Sequence, residues 1–332
     1  MSGGPSSPRS SPSFDVSQAG ETATETAEEP LLAAPERSTS VLVVGGSGFL
    51  GRHLLPRLLG RGHRVRAVCR RGAPHADRVV PDLEWTPVDI TSGSGVDAAV
   101  RGCEVVVHLA GGLAPGGEEA RRLDLDGTRN LVEAAQRAGV RRIVYVSALG
   151  ARDANGPFAA RKREAERSIR AGRTEHVILR PSLVVGPDDH VVSVLARALR
   201  RGPLFVAPGR PDEGVVQPAA VEDVAEALCQ AVERADVADA THELAGPDVL
   251  SPTEVVGAVA RRLSLARRVV RLPRWSGRRL AALADRTGLS APSALSALRV
   301  LALPGAVEGA AALRRVFRLE PLPFAVALDD YL

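Results

Sequence analysis

The chain has few aromatic residues and few cysteines, and each shortage excludes a class of protein. Aromatic side chains make up only 3% of the 332 residues, so the basic residues do not alternate with stacking rings as in many nucleic-acid-binding proteins. Cys69, Cys103 and Cys229 are far apart in the sequence and form neither a zinc-ligand pattern nor a disulfide framework. We therefore expect a cytoplasmic protein with no metal site and no nucleic-acid partner.

Long apolar runs are also missing. No uninterrupted apolar stretch of about 18 residues, the length that spans a bilayer, occurs in the chain. The first residues lack the basic region and the apolar run of a signal peptide. Hydrophobic residues still make up 45% of the chain. We therefore expect a sizeable aliphatic core and no integral membrane segment.

The sequence divides into three parts. Residues 1–38 are rich in Ser, Pro, Gly and Glu and show no periodicity, which predicts a disordered tail. From Ser40, apolar stretches such as VLVVGG and CEVVVHLAGG alternate with helical patterns, including one long helix over EEARRLDLDGTRNLVEAAQRAG. This alternation predicts an α/β protein, with a doubly wound parallel sheet of the Rossmann type over residues 39–186. A smaller, mostly helical C-terminal lobe for substrate or partner follows over residues 187–332, with a segment near 221–246 returning to the core.

The first strand runs into the glycine pattern GGSGFLG, which opens a predicted helix. Gly45 allows a tight turn, Gly48 leaves room for a pyrophosphate on the helix N-terminus, and Gly51 allows the helix to pack closely on the sheet. Because the pattern joins a strand to a helix, it predicts a dinucleotide site rather than an ordinary glycine-rich turn. The predicted contacts in this motif are Gly45, Ser47, Gly48, Phe49, Leu50 and Gly51.

The end of the second strand distinguishes the two nicotinamide dinucleotides. An acid there would bind the ribose of NAD, but this chain has Arg70 and Arg71, which can pair with the 2′-phosphate of NADP. NADP (NADPH) is therefore favoured over NAD, although both arginines also fit a solvated surface. Asp89, after the third strand, is placed to reach the adenine or to cap a helix. The other predicted cofactor contacts are Ile90, Leu109, Ala110, Gly111, Lys162 and Pro181.

Several motifs, in order, resemble the atypical and extended short-chain dehydrogenases/reductases. They are VVGGSGFLGRHLL, VVVHLAG, GTRNLVEAAQRAGVRRIVYVSALGA, KREAE, LRPSLVVGP and VEDVAEAL, and they span about residues 40–230. The chain looks closest to the branch that contains the complex I accessory subunit and the NmrA-like and isoflavone-reductase-like proteins. The resemblance implies a Rossmann fold, a bound NAD(P) and a small-molecule substrate. Residues 250–332 resemble no specific family.

In that family a serine, a tyrosine and a lysine form the active site. The resemblance implies Ser147 for the serine and Lys162 for the lysine, but this chain has Phe158 at the tyrosine position. Phenylalanine has no proton to exchange with a substrate. The usual mechanism is therefore missing unless Tyr145 or Tyr331 replaces the tyrosine, and we expect Tyr145 to be packed and Tyr331 to be too distant.

Lys162 is the only lysine among 43 basic residues. Arginine is no substitute, because a lysine ammonium is compact and can change its protonation when desolvated, whereas a guanidinium is broad and stays charged. Two functions follow. In the first, an NADPH-dependent reductase acts on a small carbonyl- or enone-type substrate, with Lys162 supplying the proton and Ser147 hydrogen-bonding the substrate oxygen. In the second, Lys162 only clamps the cofactor of a non-catalytic NADP(H)-binding protein, a redox sensor or an accessory subunit.

Other features have both structural and functional interpretations. A nucleotide-sugar epimerase or dehydratase shares the fold, but the missing tyrosine counts against it. His108 ends the fourth strand and is more often structural than an acid or base, and Arg180 with Pro181 is expected to shape the nicotinamide pocket. The sequence SPTE predicts a helix capping box that begins at Ser251. The arginine-rich region 261–279 fits a weak membrane-surface or protein partner, an anionic substrate or a solvated face.

Overall fold

The computed structural model describes residues 38–70, 83–111, 117–154, 156–200, 204–208, 215–266, 268–272, 311–329 and 331–332. All of these residues belong to one unit, Pro35–Leu332. Most of the predicted tail 1–38, Arg71 and much of the arginine-rich region 261–279 lie outside the described residues.

The described residues contain eleven strands and ten α-helices. The strands are β1 (Ser40–Val44), β2 (Arg64–Cys69), β3 (Glu84–Pro87), β4 (Val105–His108), β5 (Arg142–Val146), β6 (Glu175–Pro181), β7 (Val184–Val185), β8 (Leu204–Pro208), β9 (Ala219–Ala220), β10 (Ala240–Leu244) and β11 (Arg268–Leu272). The helices are α1 (Phe49–Gly60), α2 (Val96–Val100), α3 (Glu118–Arg121), α4 (Thr128–Arg137), α5 (Pro157–Arg170), α6 (Val192–Arg200), α7 (Val221–Glu233), α8 (Pro252–Arg262), α9 (Ala311–Arg315) and α10 (Phe324–Asp329). Within the described ranges, no helix has the length and hydropathy needed to cross a membrane.

Seven strands form one parallel sheet in the order β10-β6-β5-β4-β1-β2-β3. This order confirms the predicted doubly wound Rossmann fold. The strand β10, from the segment near residues 221–246, lies at the edge beside β6. The direction of winding reverses between β1 and β4, and sheets of this kind bind ligands beyond the carboxyl ends of the strands at that point. The candidate residues after β1, β4 and β5 therefore meet at one edge of the sheet.

Helices cover both faces of the sheet, which explains why its strands are apolar throughout. On one face, Leu42, Ile143 and Tyr145 pack with side chains of α2, α4 and α5. On the other face, Val43 and Val144 pack with side chains of α1, α7 and α9. Burial of each large aliphatic side chain stabilises the fold by about 1.5–3 kcal/mol. This layered core holds the strand ends that carry the candidate site.

A third cluster of buried side chains is formed mostly by the segment predicted as the C-terminal lobe, where α6, α8 and α10 pack with Val185 and Val216. The predicted capping box begins α8: the Ser251 hydroxyl accepts from the backbone of Glu254, whose carboxylate accepts from the backbone of Ser251 at 2.7 Å. Two further parallel strand pairs, β7 with β9 and β8 with β11, are not predicted by the sequence. β7 and β9 have two residues each, which is too short for a periodic pattern to be recognised.

The long helix predicted over residues 118–139 changes its geometry in the middle. A π-helical segment, Arg122–Gly127, joins α3 to α4. Gly127 lies against Ile90, since a Cβ on this glycine would be 2.8 Å from the Ile90 side chain. Widened turns of this kind occur frequently at functional sites. Here the segment contains a fully buried acid, Asp124.

Candidate functional site

The glycine-rich motif forms the turn from β1 to α1. Gly45 has a φ of +88°, a conformation that favours glycine, and a Cβ on it would lie 2.8 Å from the backbone nitrogen of Ala110. A Cβ on Gly51 would overlap the carbonyl oxygen of Gly46. Gly45 therefore allows the turn to touch the loop after β4, and Gly51 allows α1 to pack against the turn.

The N-terminus of α1 is open to an anion. Ser47 and Gly48 are exposed, and no side chain of the described residues caps the helix at Gly48. The first turn, which includes Phe49 and Leu50, has no acidic residue. Its unpaired backbone N–H groups and the positive end of the helix dipole favour a phosphate group. A dinucleotide pyrophosphate therefore fits this turn.

The residues predicted to bind the adenosine end lie at the surface. Arg70 Nη1 is 2.6 Å from Glu119 Oε1, and both side chains are exposed. Asp89 Oδ1 accepts hydrogen bonds from the nitrogen and hydroxyl of Thr91 at 2.9 and 2.8 Å. These bonds, with a smaller contribution from Arg70 and Arg122, lower the pKa of Asp89. The carboxylate of Asp89 therefore stabilises a local turn beside Arg70.

The other predicted cofactor contacts follow three strands of the sheet. Leu109 and Ala110 continue β4, and Gly111 after them is exposed. Ile90 follows β3 and is buried in the core, while Pro181 ends β6 and is buried beside β10. The structure thus brings Leu109, Ala110 and Gly111 next to the β1 turn and places Ile90 and Pro181 on either side.

Lys162 projects from α5 into this edge of the sheet and is only 4% exposed. Its Nζ lies 3.6 Å from Asp124 Oδ1, 3.4 Å from the carbonyl oxygen of Val146 and 5.1 Å from the ring centroid of Tyr145. A Cβ on the exposed Gly111 would overlap Nζ, so the ammonium group lies directly beneath the loop after β4. Burial opposes the charge, but Tyr145 and Asp124 outweigh it and raise the pKa of Lys162. Lys162 is therefore an ammonium ion at neutral pH.

Asp124 is the counterion of Lys162 and is not among the site residues predicted from the sequence. Its carboxylate is fully buried, with Oδ2 accepting from Arg161 Nε at 2.9 Å and Oδ1 facing Lys162. Two cations therefore share one carboxylate. The sequence spacing could have identified Asp124, because positions 124, 128, 131 and 135 lie on the same buried face of a helical pattern. An acid on such a face requires a buried cation.

His108 and Tyr145 are buried neighbours on β4 and β5. The Thr128 hydroxyl donates to the carbonyl oxygen of Asp124 at 2.6 Å and accepts from His108 Nε2 at 3.0 Å, which assigns the proton to Nε2. Burial, with a smaller effect of Lys162, lowers the pKa of His108 to about 3. Burial also raises the pKa of Tyr145, and the nearby Lys162 ammonium acts in the opposite direction. Both side chains are neutral at physiological pH, as expected for structural residues.

The Ser147 hydroxyl donates its hydrogen bond to a buried carboxylate of the protein. Its Oγ donates to the buried Glu166 Oε1 at 2.6 Å. Glu166 also accepts from Arg180 at 2.8 and 2.7 Å and from Arg170 at 3.0 Å. These bonds outweigh burial, which acts in the opposite direction, and lower the pKa of Glu166. Ser147 and Arg180 therefore both contact α5 one turn beyond Lys162, and their roles toward substrate and nicotinamide stay predictions.

Neither tyrosine of the chain replaces the one missing at Phe158. Phe158 is half-buried in the first turn of α5, one turn before Lys162. The Tyr145 hydroxyl is buried in the core. The Tyr331 hydroxyl donates to Asp189 Oδ2 at 2.7 Å in the C-terminal lobe. Since the chain has only two tyrosines, Ser147 and Lys162 are the proton-bearing side chains that remain of the family's serine, tyrosine and lysine set.

Comparisons with known proteins agree with this geometry. The sequence profile of the NAD(P)H-binding family matches residues 45–234. The chain is 35% identical over 167 residues to ceramide reductase of Caulobacter vibrioides, a match that covers 50% of this chain and 52% of that protein. It is 42% identical over 116 residues to 3-beta-hydroxysteroid dehydrogenase of Mycolicibacterium neoaurum, covering 32% of this chain and 31% of that protein. The chain thus spans only about half of the first relative and about a third of the second.

The fold is similar to that of a nucleotide-sugar enzyme. The solved structure is UDP-glucose 4-epimerase of Thermus thermophilus in complex with NAD, with a TM-score of 0.62 and 27% identity. The match covers 70% of this chain and 86% of that chain. Together the comparisons confirm the NAD(P)-binding Rossmann core and its resemblance to the extended dehydrogenases and epimerases.

Proposed function

We propose, given that this chain belongs to the NAD(P)H-binding family, that it is an NADPH-dependent reductase of a carbonyl- or enone-type substrate. In this proposal Lys162 replaces the missing tyrosine as the proton donor. The observation that carries it is the position of the Lys162 ammonium, directly beneath Gly111 at the edge of the sheet where the dinucleotide turn lies. We assign the choice of substrate to the lobe over residues 187–332.

The backbone of the β1–α1 turn would hold the cofactor. The N–H groups of Phe49 and Leu50 would bind the pyrophosphate beside Gly48, and Arg70 would pair with an adenosine 2′-phosphate. A bound nicotinamide dinucleotide supplies a hydride to a carbonyl or accepts one from an alcohol. Because glycine has no side chain, Gly111 lets the Lys162 ammonium lie close to the surface of this site.

Lys162 would hold the transferred proton at Nζ. During reduction, an N–H bond of the ammonium breaks and an O–H bond forms on the substrate oxygen, which leaves a neutral amine. With a carbonyl substrate the product is the alcohol, and with an enone it is the enol, which tautomerises to the saturated ketone. Asp124 keeps the lysine protonated before the transfer. Arg161 binds the other carboxylate oxygen, so Asp124 still has a cation once Lys162 is neutral. His108 is neutral and tied to Thr128, so it does not compete as an acid.

The names of the relatives support redox chemistry at a carbonyl or alcohol. One is a ceramide reductase and another a 3-beta-hydroxysteroid dehydrogenase. The solved structure of similar fold is a UDP-glucose 4-epimerase. The family resemblance implies that epimerases of this fold usually use the tyrosine. Phe158 therefore favours a reductase over an epimerase.

Turnover with a substrate panel tests the proposed activity. The panel contains small ketones, enones and quinones together with ceramide-type and steroid-type ketones, and the loss of NADPH absorbance is followed. We expect at least one ketone or enone to accelerate NADPH oxidation above the substrate-free rate. Product analysis should show one alcohol or saturated ketone formed for each NADPH consumed.

The second candidate function is a non-catalytic NADP(H)-binding protein that acts as a redox sensor or accessory subunit. The observation that favours it is the engagement of the Ser147 proton with Glu166, which leaves the substrate oxygen without the predicted serine donor. Tight dinucleotide binding by calorimetry, with no oxidation of NADPH across the panel, would support this function and contradict the first.

The preference for NADPH can be tested at the exposed Arg70. Arg70→Ala is expected to raise the Kd for NADPH about tenfold or more, since a hydrogen-bonded charge pair contributes about 1.5–3 kcal/mol. The Kd for NADH, which lacks the 2′-phosphate, should not change. Glu119→Gln releases Arg70 from an exposed ion pair worth at most about 1 kcal/mol, so it should lower the Kd for NADPH by up to about fivefold.

Arg121→Ala is the matched control, since Arg121 is an exposed arginine on α3 that pairs with Glu118. Titration of all three variants with both dinucleotides separates charge at the 2′-phosphate from general surface charge. Equal changes in the two Kd values for Arg70→Ala would contradict the assignment of NADP.

A further inference from the structure

The segment of residues 186–190, called here the 186–190 loop, lies against the first turns of α1. His53 Nε2 is 3.2 Å from the carbonyl oxygen of Pro187, and Arg52 Nη1 is 3.2 Å from Asp188 Oδ2. The rings of Phe49 and His190 meet edge to face, with their centroids 6.4 Å apart. The loop therefore touches the helix end that would receive the pyrophosphate.

Asp189 determines the shape of this loop. Its carboxylate is buried, and Oδ1 accepts from the backbone nitrogens of Val191, Val192 and Ser193 at 2.7, 2.6 and 3.2 Å. These bonds cap the start of α6. The preceding Asp188 has a φ of +68°, which is unfavourable for a residue with a side chain. The contacts of Asp189 thus fix the backbone directly after Asp188, the residue with the positive φ.

Tyr331 supplies a further hydrogen bond to Asp189, although the two residues are far apart in the sequence. Its hydroxyl donates to Asp189 Oδ2 at 2.7 Å, and its ring packs against the third buried cluster. The segment before it is fixed independently, because the backbone nitrogens of Leu322 and Phe324 donate to Asp223 and Asp248 at 2.9 and 2.7 Å. The hydroxyl therefore reaches Asp189 from a framework anchored elsewhere in the lobe.

We propose that Tyr331 and Asp189 are positioning residues for cofactor binding, which hold the 186–190 loop against the start of α1. The inference rests on the dinucleotide placement in the proposed function. Neither residue touches the proposed proton donor. Their effect is to keep the loop in the conformation that binds the dinucleotide, so loosening the loop lowers the binding-competent fraction and raises the apparent Kd by the same factor.

Tyr331→Phe removes only the hydroxyl and keeps the packed ring. We expect the Kd for NADPH and for NADH to rise by up to about fivefold, the factor by which the loss of about one hydrogen bond lowers the ratio of closed to open loop. Hydrogen exchange of the peptide covering residues 186–195 should become faster in the free variant and recover when NADPH is bound. Ser251→Ala is the matched control, since it removes a cap of similar strength from α8 in the same lobe.

A weaker Kd in Tyr331→Phe, with an unchanged Kd in Ser251→Ala, would support the positioning role. Equal Kd values in Tyr331→Phe and the wild type would overturn it, as would the same weakening in both variants, because the effect would then be general destabilisation of the lobe. A wild-type protein that binds neither dinucleotide would contradict the proposed function itself and remove the basis of the inference.

Discussion

Replacing Lys162 by methionine is expected to lower kcat at least about 100-fold, the usual contribution of a general acid. Methionine keeps the length of the side chain but carries no proton. The fold should survive, because Asp124 keeps its hydrogen bond from Arg161 at 2.9 Å. The measurement is steady-state turnover on the substrate found in the panel, together with the Kd for NADPH, which separates loss of chemistry from loss of binding.

Arg163→Met is the matched control, since Arg163 is the exposed neighbour of Lys162 on α5 and undergoes the same change of charge. Its kcat should equal that of the wild type. Phe158→Tyr restores the family tyrosine and should leave turnover measurable. An unimpaired kcat in Lys162→Met would end the assignment of Lys162 as proton donor.

Gly111→Ala tests the same geometry without removing the lysine. The new methyl group would overlap Nζ, so the ammonium must move away from its place beneath the loop. We expect a loss of kcat that approaches that of Lys162→Met. Gly150→Ala is the control glycine, because its Cβ would meet only an ordinary contact at 3.6 Å from Ala159.

Asp124→Asn is expected to have the largest effect on stability. The carboxylate is fully buried between Arg161 and Lys162, and removing its charge takes away the negative charge that both buried cations face. Breaking a buried pair in this way costs about 3–5 kcal/mol, which corresponds to a fall in Tm of roughly 10 °C. Thermal unfolding followed by circular dichroism measures the Tm of the wild type and the variant.

The control for this substitution is Asp126→Asn, two residues along the same π-helical segment. Asp126 is partly exposed and pairs with Arg129 at 3.7 Å, so its Tm should change by no more than a degree or two. Equal losses of stability in the two variants would contradict the argument that Asp124 neutralises the buried cations.

The pH dependence of stability provides a second measurement on Asp124→Asn. The pKa of Lys162 is raised in the folded protein, so its contribution to stability is complete below the unfolded value of about 10.4 and disappears as the pH rises through the folded value. In Asp124→Asn the carboxylate that helps to raise this pKa is gone. The difference in stability between wild type and variant should therefore narrow above about pH 10.5.

The amino-acid sequence determined the fold and the cofactor class. Apolar strands alternating with helices require a parallel sheet, and the glycines from Gly45 to Gly51 are needed where a helix N-terminus meets a phosphate. The sequence also singled out Lys162, since it is the only lysine in the chain and lies one turn after Phe158. These are local or periodic properties, which a sequence expresses directly.

Only the tertiary structure decided which groups surround that lysine. Asp124 reaches Lys162 because a π-helical segment lies against α5, and Ser147 faces Glu166 because α5 packs on the ends of β5 and β6. The bond from Tyr331 to Asp189 joins residues 142 positions apart. Pairings of this kind depend on how helices cross the sheet, and spacing along a chain carries no record of distances between separate elements.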